Sequence, residues 1–383
     1  MVDGRPGKGS EMTMTQPQLT SKGCRARQQR LRERMSTLEI ERAVVVSPEH
    51  VQYLTGFRPH WLMHAAAVVD LTGDCTLVAA NSEPDFHVAD RVLTFEAQWN
   101  ATLRMEQREA IGGALRKISD QRSIRRWGGE FSVCYPHVSE ALGGEPTADI
   151  DSNLWEMRRI KDADEVAMIR KAIACTDAMY RRAREIIAPG VSELEVFGQL
   201  HSAAVEEAGE ALTALGNDYQ CNSPGGPARS GVVAADGELY ILDLGPAYRG
   251  YFADNCRAFS VNRQPTDEQQ KAWEAIMSVF EIVKEMVRPG ASCRALYDRC
   301  KAWLDEADPS GSFWHHLGHG IGLYPHEAPH LNPAWDDEFQ EGEIFTVEPG
   351  LYYDGLQAGI RIEENYLVTA DGIEQLTITP TEL

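Results

Sequence analysis

Several features are scarce in this 383-residue chain, and each scarcity closes off a class of protein. No apolar run approaches the roughly 18 residues of a membrane span, so a transmembrane protein is not expected. The first 24 residues are polar and rich in Gly and Pro; they contain no apolar signal-peptide core and are expected to form a disordered tail. Positive charge is short: 37 Lys and Arg face 58 Asp and Glu, for a net charge of −21 with no basic stripe. Nucleic acid and anionic membranes, which both require clustered Lys and Arg, are therefore not expected partners. The basic cluster from Arg27 to Arg34 has helical spacing and suits a solvated helix face. The eight cysteines are scattered, and the nearest pair, Cys293 and Cys300, excludes a CxxC motif and a structural zinc knuckle. Scattered thiols in a long acidic chain point to reduced cysteines and a cytoplasmic protein.

Residues 25–150 alternate helical and strand-like segments, with a helix at "RQQRLRERMSTLEI" and strands at "RAVVVS", "AAAVVDL" and "CTLVAA". This predicts a smaller α/β domain with a mixed sheet. The polar, turn-rich stretch Glu145 to Asn153 marks a boundary, so residues 151–383 form a second domain. There, two long helical patterns end at Pro189-Gly190 and Pro289-Gly290, and each is followed by a second helix and then by strands. Ser192 with Glu195 and Thr266 with Gln269 have capping-box spacing. The repeated grammar implies a pseudo-symmetric, duplicated α+β domain.

Each half carries a hairpin with two acids: Asp243 and Asp254 flank a turn near 247–250, and Glu348 and Glu363 flank one at Asp354-Gly355. An ionised carboxylate in an apolar strand such as "YILD" or "FTVE" is costly unless compensated. Four such acids at one point would repel one another, and two divalent cations would neutralise them. Between the hairpins, residues 315–330 hold five of the eleven histidines. The string His326 to His330 matches H-E-x-x-H, but that zinc motif works only on a helix, and Pro329 inside it disfavours one. Oxygen donors with one imidazole favour manganese, iron, cobalt or zinc.

The runs "LDLGPAYRGYFADNCRAF", "HHLGHGIGLYPHEAP", "VEPGLY" and "GIRIEENYLVT" together resemble the pita-bread metallopeptidases. "SPEHVQYLTGF" resembles the amino-terminal domain of their aminopeptidase P, prolidase and creatinase branch. The resemblance implies a pita-bread catalytic domain preceded by a creatinase-type domain. It implies the metal ligands Asp243, Asp254, His319, Glu348 and Glu363 holding two divalent cations per chain, manganese first. It also implies Glu348 as the proton carrier, His315 and His326 as catalytic and substrate-contacting residues, and Arg361 as an arginine that orients carboxylates. His316 and His330 match no family role. The implied activity is hydrolysis of the bond before proline in a small peptide by a hydroxide bridging the two metals. A homodimer is implied as well, with the loop carrying His60 and Trp61 approaching a site.

One departure stands out. Relatives carry a histidine about seventeen residues before the first aspartate ligand; counting back from Asp243 gives Gly226, and none occurs between His201 and His315. Arg229 is the candidate replacement, by holding a substrate carboxylate. The departure keeps open a rival: another amide or C–N hydrolase, or a lyase, acting on a non-prolyl small molecule. A non-catalytic binding module is the remote alternative, since such relatives lose ligand residues and this chain retains all five.

Overall fold

A computed structural model describes residues 16–119, 124–308, 310–356 and 358–383. Of the expected tail, residues 1–15 lie outside the described residues. A helix already begins at Ser21, because Thr20 caps it by accepting a hydrogen bond from the Gly23 N–H. This helix, Ser21–Thr37, does not present all its arginines to solvent: Arg27 is fully buried, with Nη1 3.0 Å from Asp162 and from Asp164. Helical spacing alone could not reveal that the helix packs against acids 135 or more residues away.

The amino-terminal region is a six-stranded sheet. The strand Arg42–Val45 pairs antiparallel with Ala66–Asp70 and parallel with Trp127–Gly129, giving the mixed sheet expected. Its strands are apolar on both faces because helices cover both sides: Val45, Ala67 and Leu77 face one buried cluster, and Val44, Val68 and Val78 face another. The first of these clusters continues into the second region through Met168, Tyr240 and Leu242, so the two regions share a core.

In the carboxyl-terminal region the helix pair Ala163–Ile186 and Glu193–Ala208 is matched by Asp267–Met286 and Cys293–Ala307. The duplication extends to individual hydrogen bonds one hundred residues apart. Gly190 N donates to Ala234 O as Gly290 N donates to Phe339 O, and Ser192 bridges Val233 as Ser292 bridges Glu338. Thr266 and Gln269 form a reciprocal capping box, whereas at Ser192 the side chain accepts from the Glu195 N–H. Each helix pair backs a sheet: three strands ending in the hairpin Leu239–Leu244 and Asn255–Ser260, and five strands containing Ile344–Val347 paired with Glu364–Val368. In the first hairpin Arg249 and Gly250 both have positive φ (46° and 87°), the backbone of a two-residue type I′ turn.

Candidate metal centre

The two hairpins place their acids at matching points. Asp243 is the penultimate residue of its strand and Asp254 directly precedes the returning one; Glu348 directly follows its strand and Glu363 directly precedes the return. Two asparagines bolt the hairpins together: the Asn255 side-chain amide donates to the Glu363 carbonyl, and the Asn365 amide to the Asp254 carbonyl. Glu363 N adds a 3.0 Å bond to Cys256 O. The acids are thus held by backbone contacts from both halves, and their carboxylates are left to converge.

They converge with few partners. Asp243, Asp254 and Glu363 bring carboxylate oxygens within 4.8 Å of one another, as do the donor atoms of His319, Glu348 and Glu363. Among the described residues, Asp243 Oδ1, Asp254 Oδ1 and both oxygens of Glu363 are buried with no hydrogen-bond partner. Native proteins rarely leave such groups unpaired. Burial and the neighbouring acids push the carboxyls of Asp254 and Glu363 well above the usual range. Asp243 is raised to about 6 by burial, which Arg361 partly offsets and Asp218 reinforces. A site that repels its own charges fits divalent cations.

His319, on the strand Gly318–Gly320, is oriented for ligation. Its Nδ1 lies 3.0 Å from the Gly320 carbonyl, which can only accept, so the proton sits there and Nε2 keeps its lone pair. That Nε2 is 3.5 Å from Glu348 and 3.8 Å from Asp254. Burial lowers the imidazole to about 4, so it is neutral, as a ligand must be. Glu348 behaves oppositely to the other acids. Burial would raise its carboxyl, but His316 Nε2 at 3.0 Å and the surrounding histidines bring it down to about 2.

Around this core, Arg361 Nη2 donates to Asp243 (2.8 Å) and to Asp218 (2.6 Å), and Nη1 donates to the Tyr352 hydroxyl (3.0 Å). Tyr352 is in turn 3.0 Å from His315 Nε2. Since His315 Nδ1 donates to the His316 carbonyl at 2.7 Å, its Nε2 accepts from Tyr352 and is not a free donor. His326 stacks on His319, with ring centroids 3.7 Å apart. A cavity of about 320 Å³ opens over Asp243, Glu348, His315 and Arg361. A larger one, about 880 Å³, lies by His60 and the 82% exposed Trp61, and none of the cluster lines it.

The sequence-predicted residues Asp243, Asp254, His319, Glu348, Glu363, His315, His326 and Arg361 are therefore brought together, and Arg229 is not. Its guanidinium donates to Glu193 at 2.6 Å and to the Cys221 carbonyl, which ties it to the helix start at Glu193. Gly226 does line the cavity; its φ of +127° strains any side chain placed there, and a Cβ would also displace the Gln220 amide, 2.6 Å away, from its hydrogen bond to the Pro227 carbonyl. His330 turns away to Asp337, 2.9 Å distant, on a strand rather than a helix, so the H-E-x-x-H string is not a helical zinc site. Three residues at the site were missed. His316 stood in the histidine cluster and Tyr352 in "VEPGLY", where spacing could have flagged them; Asp218 gave no signal.

A duplicated α+β domain presenting two acid-bearing hairpins and one neutral imidazole defines a metal-dependent enzyme of the pita-bread class, preceded by a creatinase-type domain. Residues 167–370 match the family model "Metallopeptidase family M24" and residues 27–160 match "Creatinase/Prolidase N-terminal domain". The chain belongs to metallopeptidase family M24. It is 30% identical to the Xaa-Pro dipeptidase of Pyrococcus horikoshii over 68% of this chain and 75% of that protein. It is 23% identical to the Bacillus subtilis peptidase YqhT over 93% of this chain and 98% of the relative. The solved prolidase from Pyrococcus horikoshii OT3 superposes with a TM-score of 0.77 at 24% identity, covering 94% of this chain and 99% of its own. Among the described residues no helix is long and apolar enough to cross a membrane.

Proposed function

We propose that this metallopeptidase is dinuclear and hydrolyses the peptide bond before proline, as an aminopeptidase P or an Xaa-Pro dipeptidase. The observation that carries the reading is the set of buried, unpartnered oxygens of Asp243, Asp254 and Glu363 beside His319. Asp243, Asp254 and Glu363 would hold one divalent cation, and His319, Glu348 and Glu363 a second, with manganese the first choice and cobalt, iron or zinc the alternatives. When bound, such cations lower the pKa of a water and polarise the scissile carbonyl. Glu348, kept ionised by its histidine neighbours, takes the proton of the attacking water and delivers it to the leaving nitrogen. His326, beside His319, donates a hydrogen bond to the developing oxyanion. Arg361 fixes Asp243, and His315 holds Tyr352 at the cavity wall. A homodimer and a cytoplasmic location belong to the same reading; eight free thiols suit the latter.

The bare wall at Gly226 favours one second reading, hydrolysis or cleavage of a non-prolyl small molecule. Assay of the manganese-loaded protein on Xaa-Pro dipeptides, Xaa-Pro-Yaa tripeptides, creatine and proline-free peptides separates the two. Cleavage confined to prolyl peptides is expected; turnover of creatine or proline-free substrates alone would contradict the peptidase reading.

A further inference from the structure

Two substrate classes stand side by side in the proposed function, and they differ by one charge. An Xaa-Pro dipeptide carries its terminal carboxylate on the proline itself, whereas a longer Xaa-Pro peptide carries a neutral amide there. A dipeptide therefore brings a full negative charge within one residue of the scissile bond. Burying that charge is costly unless a cation with free N–H donors receives it.

Arg361 lines the cavity of about 320 Å³ over Asp243 and Glu348. A guanidinium has five N–H donors, two on each Nη and one on Nε. Here Nη2 donates to Asp218 (2.6 Å) and to Asp243 (2.8 Å). Nη1 donates to the Pro224 carbonyl (3.1 Å) and to the Tyr352 hydroxyl (3.0 Å). All four outer donors are taken, and the remaining Nε is buried. The charge is taken as well: two divalent cations would balance the four acids of the ligand set, and Asp218 then balances Arg361. Sheet register sets Asp218 opposite Asp243, and its other oxygen accepts from the Gly226 N–H at 2.8 Å. Both of its oxygens are thereby fixed, one on the guanidinium and one on the glycine wall of the cavity.

Other cations around the centre are withheld in the same way. Arg229 donates to Glu193 through Nε (3.1 Å) and Nη2 (2.6 Å). Beyond His326, Arg158 pairs with Glu327 and Arg159 with Glu343. A carboxylate entering the cavity would meet the oxygens of Asp218, Asp243 and Glu348 and no open donor on Arg361. Like charges set side by side suppress binding.

We infer that Asp218, by occupying Arg361, excludes substrates with a free carboxylate on the proline, so that the protein is an aminopeptidase acting on peptides of three or more residues rather than a dipeptidase. The inference rests on the Xaa-Pro peptidase reading and names the substrate class within it.

Ala-Pro and Ala-Pro-amide differ in little but that charge and make the test direct. For the manganese-loaded protein, kcat/KM on Ala-Pro-amide and on Ala-Pro-Ala should exceed that on Ala-Pro by roughly tenfold or more, the scale of a charged group left without its hydrogen bond. Asp218→Asn releases the charge of Arg361, and the ratio of amide to acid should fall by roughly fivefold or more. The ratio is the readout, because Asp218 also holds the Gly226 loop and its replacement alters both rates. Asp218→Ser is the second variant should asparagine disturb that loop. In parallel, calorimetric titration of the manganese-loaded protein, which needs no turnover, should show prolinamide binding more tightly than proline, with the gap narrowed in Asp218→Asn. Equal kcat/KM on Ala-Pro and its amide overturns the inference, as does an amide preference that neither substitution reduces. Proline binding as tightly as prolinamide, or neither binding at all, overturns it too. If no prolyl peptide is cleaved yet prolinamide is preferred through Asp218, the charge exclusion stands and the activity reading fails.

Discussion

Two triads of acids in this protein share composition and burial and differ in one respect. Asp162, Asp164 and Glu165 gather at the junction of the two regions; Asp243, Asp254 and Glu363 gather between the hairpins. In the first triad the protein supplies its own cation. Arg27 reaches all three acids at 3.0, 3.0 and 3.6 Å, and Arg30 adds a 2.7 Å contact to Asp162. In the second, Arg361 reaches Asp243, and among the described residues no guanidinium pairs with the carboxylate of Asp254 or Glu363. The carboxyls respond in part. Against the cost of burial, hydrogen bonds from Arg27 hold Asp164 below its usual value, and Glu165, where burial outweighs Arg27, rises to about 7; burial and like charge drive Glu363 well above its usual value. A cluster of buried acids is thus not in itself a metal site; what marks this one is that its own side chains leave two of the three carboxylates without a counter-charge.

The largest effect that would test this contrast is on metal and activity. Glu363→Gln should lower kcat/KM by more than about 100-fold, beyond the cost of disturbing a residue that only orients a ligand. It should also reduce bound metal, and the apo variant should melt no lower than apo wild type, because a repelling charge has been removed. A melting temperature well below that of apo wild type would show Glu363 to be a structural residue. The converse substitution belongs to the paired triad. Arg27→Ala strands Asp164 and Glu165, while Arg30 keeps Asp162. It should cost about 3–5 kcal/mol in denaturant unfolding, as for other broken buried pairs, while metal content is unchanged. Loss of metal in that variant would erase the distinction between the triads.

A subtler effect is on pH. The raised carboxyls, Asp243 at about 6 and Asp254 and Glu363 well above their usual values, bind protons in the folded apo protein that the unfolded chain has already released. Stability of the apo protein from this cluster is therefore fully present below about pH 4 and is lost as pH rises through the folded values. The loaded protein has cations in place of protons. The gap in melting temperature between loaded and chelated protein should widen from pH 5 to pH 8, and a gap that narrows would contradict the assignment. Smallest is the effect of His330→Ala, whose partly exposed pair with Asp337 should contribute no more than about 1 kcal/mol and leave metal content alone. His319→Ala, in the same assays, should lose both metal and activity.

Much of this was legible in the sequence for a physical reason: duplication repeats local signals. The Pro-Gly stops, the helix caps and an acid closing an apolar strand are all properties of short segments, so Asp243, Asp254, Glu348 and Glu363 could be read from their strands. What escaped depends on contacts between distant segments. Helical spacing offered Arg27 as a solvent-facing residue, and only the tertiary arrangement brings Asp164 against it. Arg229 looked free in a Gly-rich loop, and Glu193, 36 residues earlier, captures it. Asp218 enters the site because its strand pairs in register with Asp243, a fact of sheet topology that no local pattern encodes.

The measurement that bears most directly on the central claim is metal content per chain by elemental analysis, for wild type and Asp254→Asn equilibrated against limiting manganese. If buried acids without internal partners define the centre, wild type carries two ions per chain and the variant carries fewer, while both elute as folded protein. Two ions retained by Asp254→Asn, or none taken up by the folded wild type, would contradict the account.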